Sequence, residues 1–81
     1  MNRVDMFAYG YRITVDEDQV DLHEKKNNAL KAISALEAVF ESIPADAKLV
    51  IKKLMSEQNG IIIRLNRKIR RTVAVHEMVK S

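Results

Sequence analysis

The stretch Asn59-Gly60-Ile61-Ile62-Ile63-Arg64-Leu65-Asn66-Arg67-Lys68-Ile69-Arg70-Arg71-Thr72-Val73-Ala74-Val75-His76 decides the fold of this 81-residue chain, because it reads in two ways. Asn-Gly flanked by strand-forming residues is a hairpin signal, and Ile61-Ile62-Ile63 is β-branched. On that reading residues 61–65 and 72–75 are strands pairing with the N-terminal segment, and the chain is α+β. However, Ile62, Leu65, Ile69, Val73 and His76 recur at spacings of three and four, which is the period of one helix face. That period, held across the segment, outweighs three β-branched residues. The sequence therefore predicts helix over 60–79, continuing a helix over 45–58 after a bend at Gly60.

Upstream, residues 45–57 place Ala47, Val50, Ile51 and Leu54 inward and Lys48, Lys52 and Lys53 outward. Pro44 closes whatever precedes it, because the residue before proline avoids the helical region. It also opens the next helix, where its missing N–H costs nothing. Before it, Leu22, Ala29, Ile33, Leu36, Phe40 and Ile43 form a seam at spacings of three, four and seven, predicting an amphipathic helix over 20–43. At the N-terminus, Phe7, Tyr9, Tyr11, Ile13 and Val15 alternate with Ala8, Gly10, Arg12 and Thr14, predicting one strand over 4–15. A lone strand leaves its ladder groups unpaired. The expected architecture is thus a single domain over 1–81, mainly α with an N-terminal β-strand. Its helices form an antiparallel hairpin turning at Pro44, and its strand pairs with a second copy in a dimer.

Composition narrows the function classes. An apolar share of 47% with one proline and two glycines marks a globular, helix-rich chain, not a disordered one. Without cysteine there is no disulfide framework, zinc-thiolate site or thiol nucleophile. Apolar runs reach only four residues, too short to span a bilayer, and the first twenty residues lack the apolar core of a secretory signal. A cytoplasmic location is the simplest expectation, with no membrane partner.

Charge is placed unevenly. Asp16, Glu17, Asp18, Asp21 and Glu24 make an acidic knot, and Arg64, Arg67, Lys68, Arg70 and Arg71 a basic one. Four of the basic residues follow one helix face at i, i+3, i+4 and i+7, a shape that meets nucleic-acid phosphates or an acidic protein. Interleaved aromatics are missing, so base stacking is not expected. The alternative is that the two knots face each other.

Chemistry-bearing patterns are sparse. His23 beside Asp21 and Glu24 reads as a solvated helix residue rather than a metal ligand, and His76 as a packing histidine of the second helix. Ser34, Ser42, Ser56 and Thr14 lie in no nucleophile elbow, and Gly10 and Gly60 make no phosphate-cradling loop. Arg12 and Thr14 point away from the aromatic strand face. Gly10-Tyr11-Arg12-Ile13-Thr14, then Asp18-Gln19 and Asp21-Leu22, resembles the first strand and turn of serine recombinases, with Thr14 where that family has its nucleophilic serine. No downstream segment matches that family's arginines, so the activity is not carried over.

The expected function is therefore a small, non-catalytic, self-associating interaction or adaptor protein without cofactor, metal or small-molecule substrate. Contact would run through Phe7, Tyr9, Tyr11, Ile33, Leu36 and Phe40, because one helical hairpin cannot cover all its apolar surface alone. The alternative is a nucleic-acid-binding accessory protein using the basic helix face.

Overall fold

A computed structural model of the protein describes residues 2–70, Thr72 and residues 74–76. Strands β1 (Arg3–Ala8) and β2 (Tyr11–Asp16) come first. One 3-10 turn (Glu17–Gln19) leads into helix α1 (Val20–Phe40), followed by helix α2 (Ala45–Lys68) and a short strand β3 (Ala74–His76). The chain is mostly helical, with an antiparallel sheet in the order β1-β2-β3.

The single strand expected over 4–15 is in fact a hairpin. Its turn is Tyr9-Gly10, both at positive φ (59° and 80°), the pattern of a type I′ turn whose twist matches that of the flanking strands. Glycine adopts such angles freely; tyrosine does not. A two-residue turn also inverts the alternation. Each pair (Ala8 with Tyr11, Met6 with Ile13, Val4 with Val15) joins an even-numbered residue to an odd-numbered one. Directly opposed side chains share a face. Hence Val4, Met6 and Ala8 join Ile13 and Val15 on the inner face, while Phe7 opposes Arg12 on the outer face and is 68% exposed. Ala8, Ile13 and Val15 form the buried core of the sheet, with Met6, Tyr9 and Val20 packed against them.

The C-terminal segment supplies the second correction. Helix α2 runs unbroken through Gly60 and stops at Lys68, with Ile69 already extended (φ −76°, ψ 125°). Glycine inside a helix costs about 1 kcal/mol, which a helix packed along its length absorbs. Residues 61–65 are therefore helical, as the helical period indicates. Beyond them, Ala74–His76 pairs with β2 (Thr14 with Ala74, Ile13 with Val75, Arg12 with His76). The strand alternative thus holds in part for 72–75 and fails for 61–65. The reason is local and tertiary together: Thr72-Val73-Ala74-Val75 favours strand, and the edge of β2 offers unpaired ladder groups. Arg71, Val73 and residues 77–79 of the expected helix lie outside the described residues. Because β1 and β3 flank β2 within one chain, the main ladder needs no second copy, contrary to the expectation for a lone strand.

The two helices pack on each other. Lys48 and Lys52 lie over the Phe40 ring at 5.0 and 5.9 Å, so the start of α2 sits at the end of α1. At the other end, the Arg70 N–H donates to Gln19 Oε1 at 2.7 Å, so the chain beyond α2 returns to the start of α1. Ala29 and Leu65 are buried, with Ile33, Leu36 and Phe40 half-buried. Glu41–Pro44 connects the helices, and both the N–H and the hydroxyl of Ser42 donate to the Val39 carbonyl. No helix among the described residues is long and apolar enough to cross a membrane.

Candidate interaction surface

Two strands, two helices and the returning C-terminal segment position the charged residues singled out by sequence, and they divide them. Arg70 is taken into a clasp. Its guanidinium sits 2.7 Å from Asp18 Oδ2 and 3.5 Å from Asp16, while its backbone N–H donates to the buried Gln19. One member of the basic knot thus meets the acidic knot. Arg64, Arg67 and Lys68 are exposed on the last two turns of α2, and among the described residues no ion pair involves them. Arg71 lies outside the described residues.

The six residues expected to carry self-association are not brought together. Phe7 faces out from the sheet, and Tyr11 is exposed on the opposite face at the strand end. Tyr9 turns onto α1, and Ile33, Leu36 and Phe40 are half-buried along α1, with Leu36 about 60° round the helix from Ile33. On the helices the exposed large apolar residues are Leu30, Val39, Leu49, Val50, Leu54 and Ile63. Val50 and Leu54, expected inward, are 61% and 40% exposed, and Val39 is 46% exposed. The signal was present in the sequence. Helix α2 carries two apolar stripes, Ala47-Ile51-Met55-Ile62-Leu65 and Val50-Leu54-Ile61, and a single neighbouring helix can cover only one.

Around the hairpin turn the sequence reading missed a polar cluster. Tyr9 N–H donates to Asn27 Oδ1 at 3.0 Å, the Tyr9 hydroxyl shares a 2.8 Å hydrogen bond with His23 Nδ1, and the Lys26 ammonium lies 5.3 Å from the centre of the Tyr9 ring. Three side chains from two successive turns of α1 therefore hold tyrosine in its unfavourable backbone angle. His23, expected in solvent, is buried, and its Nε2 has no partner. Burial, with Lys26 alongside, lowers its pKa below the ordinary histidine value. Burial likewise raises that of the Tyr9 phenol.

This cluster yields a prediction. The fold favours neutral His23, so its contribution to stability is complete above the unfolded value near 6.5 and is lost as pH falls through the lower folded value. Urea midpoints should therefore drop below about pH 6.5, and His23→Gln should remove that part of the drop. Tyr9→Phe should cost about 1–3 kcal/mol at pH 7 by leaving a second buried nitrogen unpaired. Equal acid profiles for wild type and His23→Gln would contradict the assignment.

On the outer face of the sheet, Thr14 Oγ1 donates to Asp5 Oδ1 at 2.6 Å and lies 3.1 Å from His76 Nε2, while Arg12 sits 3.7 Å from Asp5. His76 is half-buried as expected, though on β3 and not on a helix. The order is that of a structural ladder. The one hydroxyl proton goes to the carboxylate, so the imidazole is placed as donor and not as a base activating Thr14. A cleft of about 220 Å³ lies beside the turn, lined by Phe7, Tyr9, Tyr11, Asn27 and Lys31 among others. That is smaller than the usual ligand pocket of roughly 300–1,000 Å³. Among the described residues no group of three or more His, Asp or Glu side chains could hold a metal ion.

Compared with known protein families, characterised proteins and solved structures, the chain matches none.

Proposed function

We propose that this protein is a non-catalytic interaction module that works by self-association, its antiparallel helical hairpin supplying the contact. One observation carries the reading: the chain by itself exposes too much surface. Its accessible area is 6124 Å², whereas a folded monomer of its 9.3 kDa mass exposes about 5,000 Å². Its radius of gyration is 15.4 Å, against about 12 Å for a compact domain of this length. The molecule is a slab of 49 × 34 × 13 Å, roughly one layer of helix thick. A slab keeps both faces wet, and a second copy is the commonest way to cover one. Sedimentation equilibrium at micromolar concentration should give twice the chain mass, and a 9.3 kDa species throughout would overturn the proposal.

A second reading draws on a separate observation, the exposed set Arg64, Arg67 and Lys68, which has no ion pair among the described residues. If it binds nucleic acid, three phosphate contacts give a log–log salt slope of about −2.7 on duplex DNA, largely indifferent to sequence. Arg67→Ala should reduce the slope by about one. Fluorescence anisotropy at several salt concentrations reads both values, and absence of binding at low salt rejects this reading.

A further inference from the structure

Resting on the self-association reading, we propose that the contact surface is the flank of the helix pair turned away from the sheet, formed by Ala32, Leu36 and Val39 on α1 and Val50, Leu54 and Ile61 on α2, and that its occupant is a second copy of this chain.

The placement follows from helix geometry. At about 100° per residue, take the half-buried Ile33 on α1 and Ile51 on α2 as references, the buried Ala29 and Leu65 lying about 40° round from them on the side of the proposed face. Rotation one way around α1 reaches His23, Asn27 and Val20, which are packed on or bonded to the sheet. Rotation the other way reaches Leu36, Ala32 and Val39. On α2 that same sense of rotation reaches Leu54, Ile61 and Val50. The helices run in opposite directions, since Phe40 meets Lys48 and Gln19 meets Arg70. Equal rotations on antiparallel neighbours point to the same side, so the six residues share one face.

All six are apolar and none is fully buried. By the same rotation Lys25, Glu57 and Lys68 share this face, Lys25 and Lys68 at the end where α1 starts and α2 stops, and Glu57 between Leu54 and Ile61. The opposite flank carries Glu37, Glu41, Lys48 and Lys52, with both lysines folded over Phe40. It also carries the exposed Leu30 and Ile63, but the four charged residues outnumber them.

The area fits a second copy. The surplus over a compact monomer is roughly 1,100 Å² per chain, and twice that meets the roughly 1,200–2,000 Å² buried in a stable pair. A two-fold axis parallel to the helices sets α1 of one chain across α2 of the other in antiparallel sense. All four helices then have antiparallel neighbours, the up-and-down bundle arrangement. The rival surface, the outer edge of β1, is six residues long and offers main-chain groups with little apolar area.

The test uses the whole chain. Val50→Glu with Leu54→Lys should weaken self-association about 100-fold, giving a monomer in sedimentation at a concentration where wild type is dimeric. The far-UV spectrum should be retained, because both positions are already exposed. Phe7→Glu should leave the dimer intact. A monomeric wild type overturns self-association itself. A dimeric wild type with an equally dimeric double variant overturns only the choice of face, and dissociation by Phe7→Glu alone would move the contact to the sheet. Should the double variant not fold, methyl NMR of wild type on dilution answers the same question. Shifts are expected at Val39, Val50 and Leu54, and shifts confined to Val4 and Val75 would overturn the proposal.

Discussion

Val15→Asp abolishes folding, while Phe7→Ser leaves it nearly unchanged. Val15 lies on the central strand at 1% exposure, among Ala8, Ile13 and Val20. An aspartate there buries a carboxylate in an apolar cluster, a change costing several kcal/mol. A domain of this length has roughly 4–12 kcal/mol in total, and this one has a small core. Phe7 faces outward, so its replacement should stay within about 0.5 kcal/mol. Circular dichroism with urea titration measures both. The pair tests the parity inversion directly, since a single uninterrupted strand would put residues 7 and 15 on one face and make both changes damaging.

Ile33→Asp lowers stability by about 2–4 kcal/mol, whereas Lys31→Asp changes it by less than about 0.5 kcal/mol. Ile33 sits half-buried in the seam with Leu22, Ala29 and Leu36, and Lys31 is exposed two residues earlier. Because Ile33 is half-buried within the chain and is not among the residues of the proposed dimer face, the loss should appear as a lower urea midpoint at any protein concentration. Matching midpoints for the two variants would refute the register of α1.

The polar clasps explain why so much of the site was invisible in the sequence. Gln19, Asn27 and His23 are ordinary helix-start and helix-surface residues by type. Only the folded chain puts Tyr9 against His23 and Asn27, and Arg70 against Gln19, across separations of fourteen, eighteen and fifty-one residues. Propensity and periodicity are local quantities and carry no trace of such partners. The exposed stripe Val50-Leu54-Ile61 is a different case: it was legible as apolar spacing, but spacing cannot say which of two stripes the neighbouring helix will take.

By itself the sequence indicated the two helices, through the seam from Leu22 to Phe40 and the apolar spacing from Ala47 to Leu65, though with a bend expected at Gly60, and their separation at Pro44. It also indicated strand character at the N-terminal end, where β-branched and aromatic residues cluster from Phe7 to Val15, whereas the period from Ile62 to His76 pointed to helix at the other end, where Ala74–His76 is strand. Tertiary structure alone decided what those ends do. Tyr9 enters the left-handed region only because α1 side chains bind its amide and hydroxyl, which splits one apparent strand into two and turns Phe7 outward. Residues 74–76 become strand, not a last helical turn, because the edge of β2 stands ready with unpaired donors and acceptors. A local pattern fixes which conformations are cheap, and long-range hydrogen bonds choose among those of similar cost.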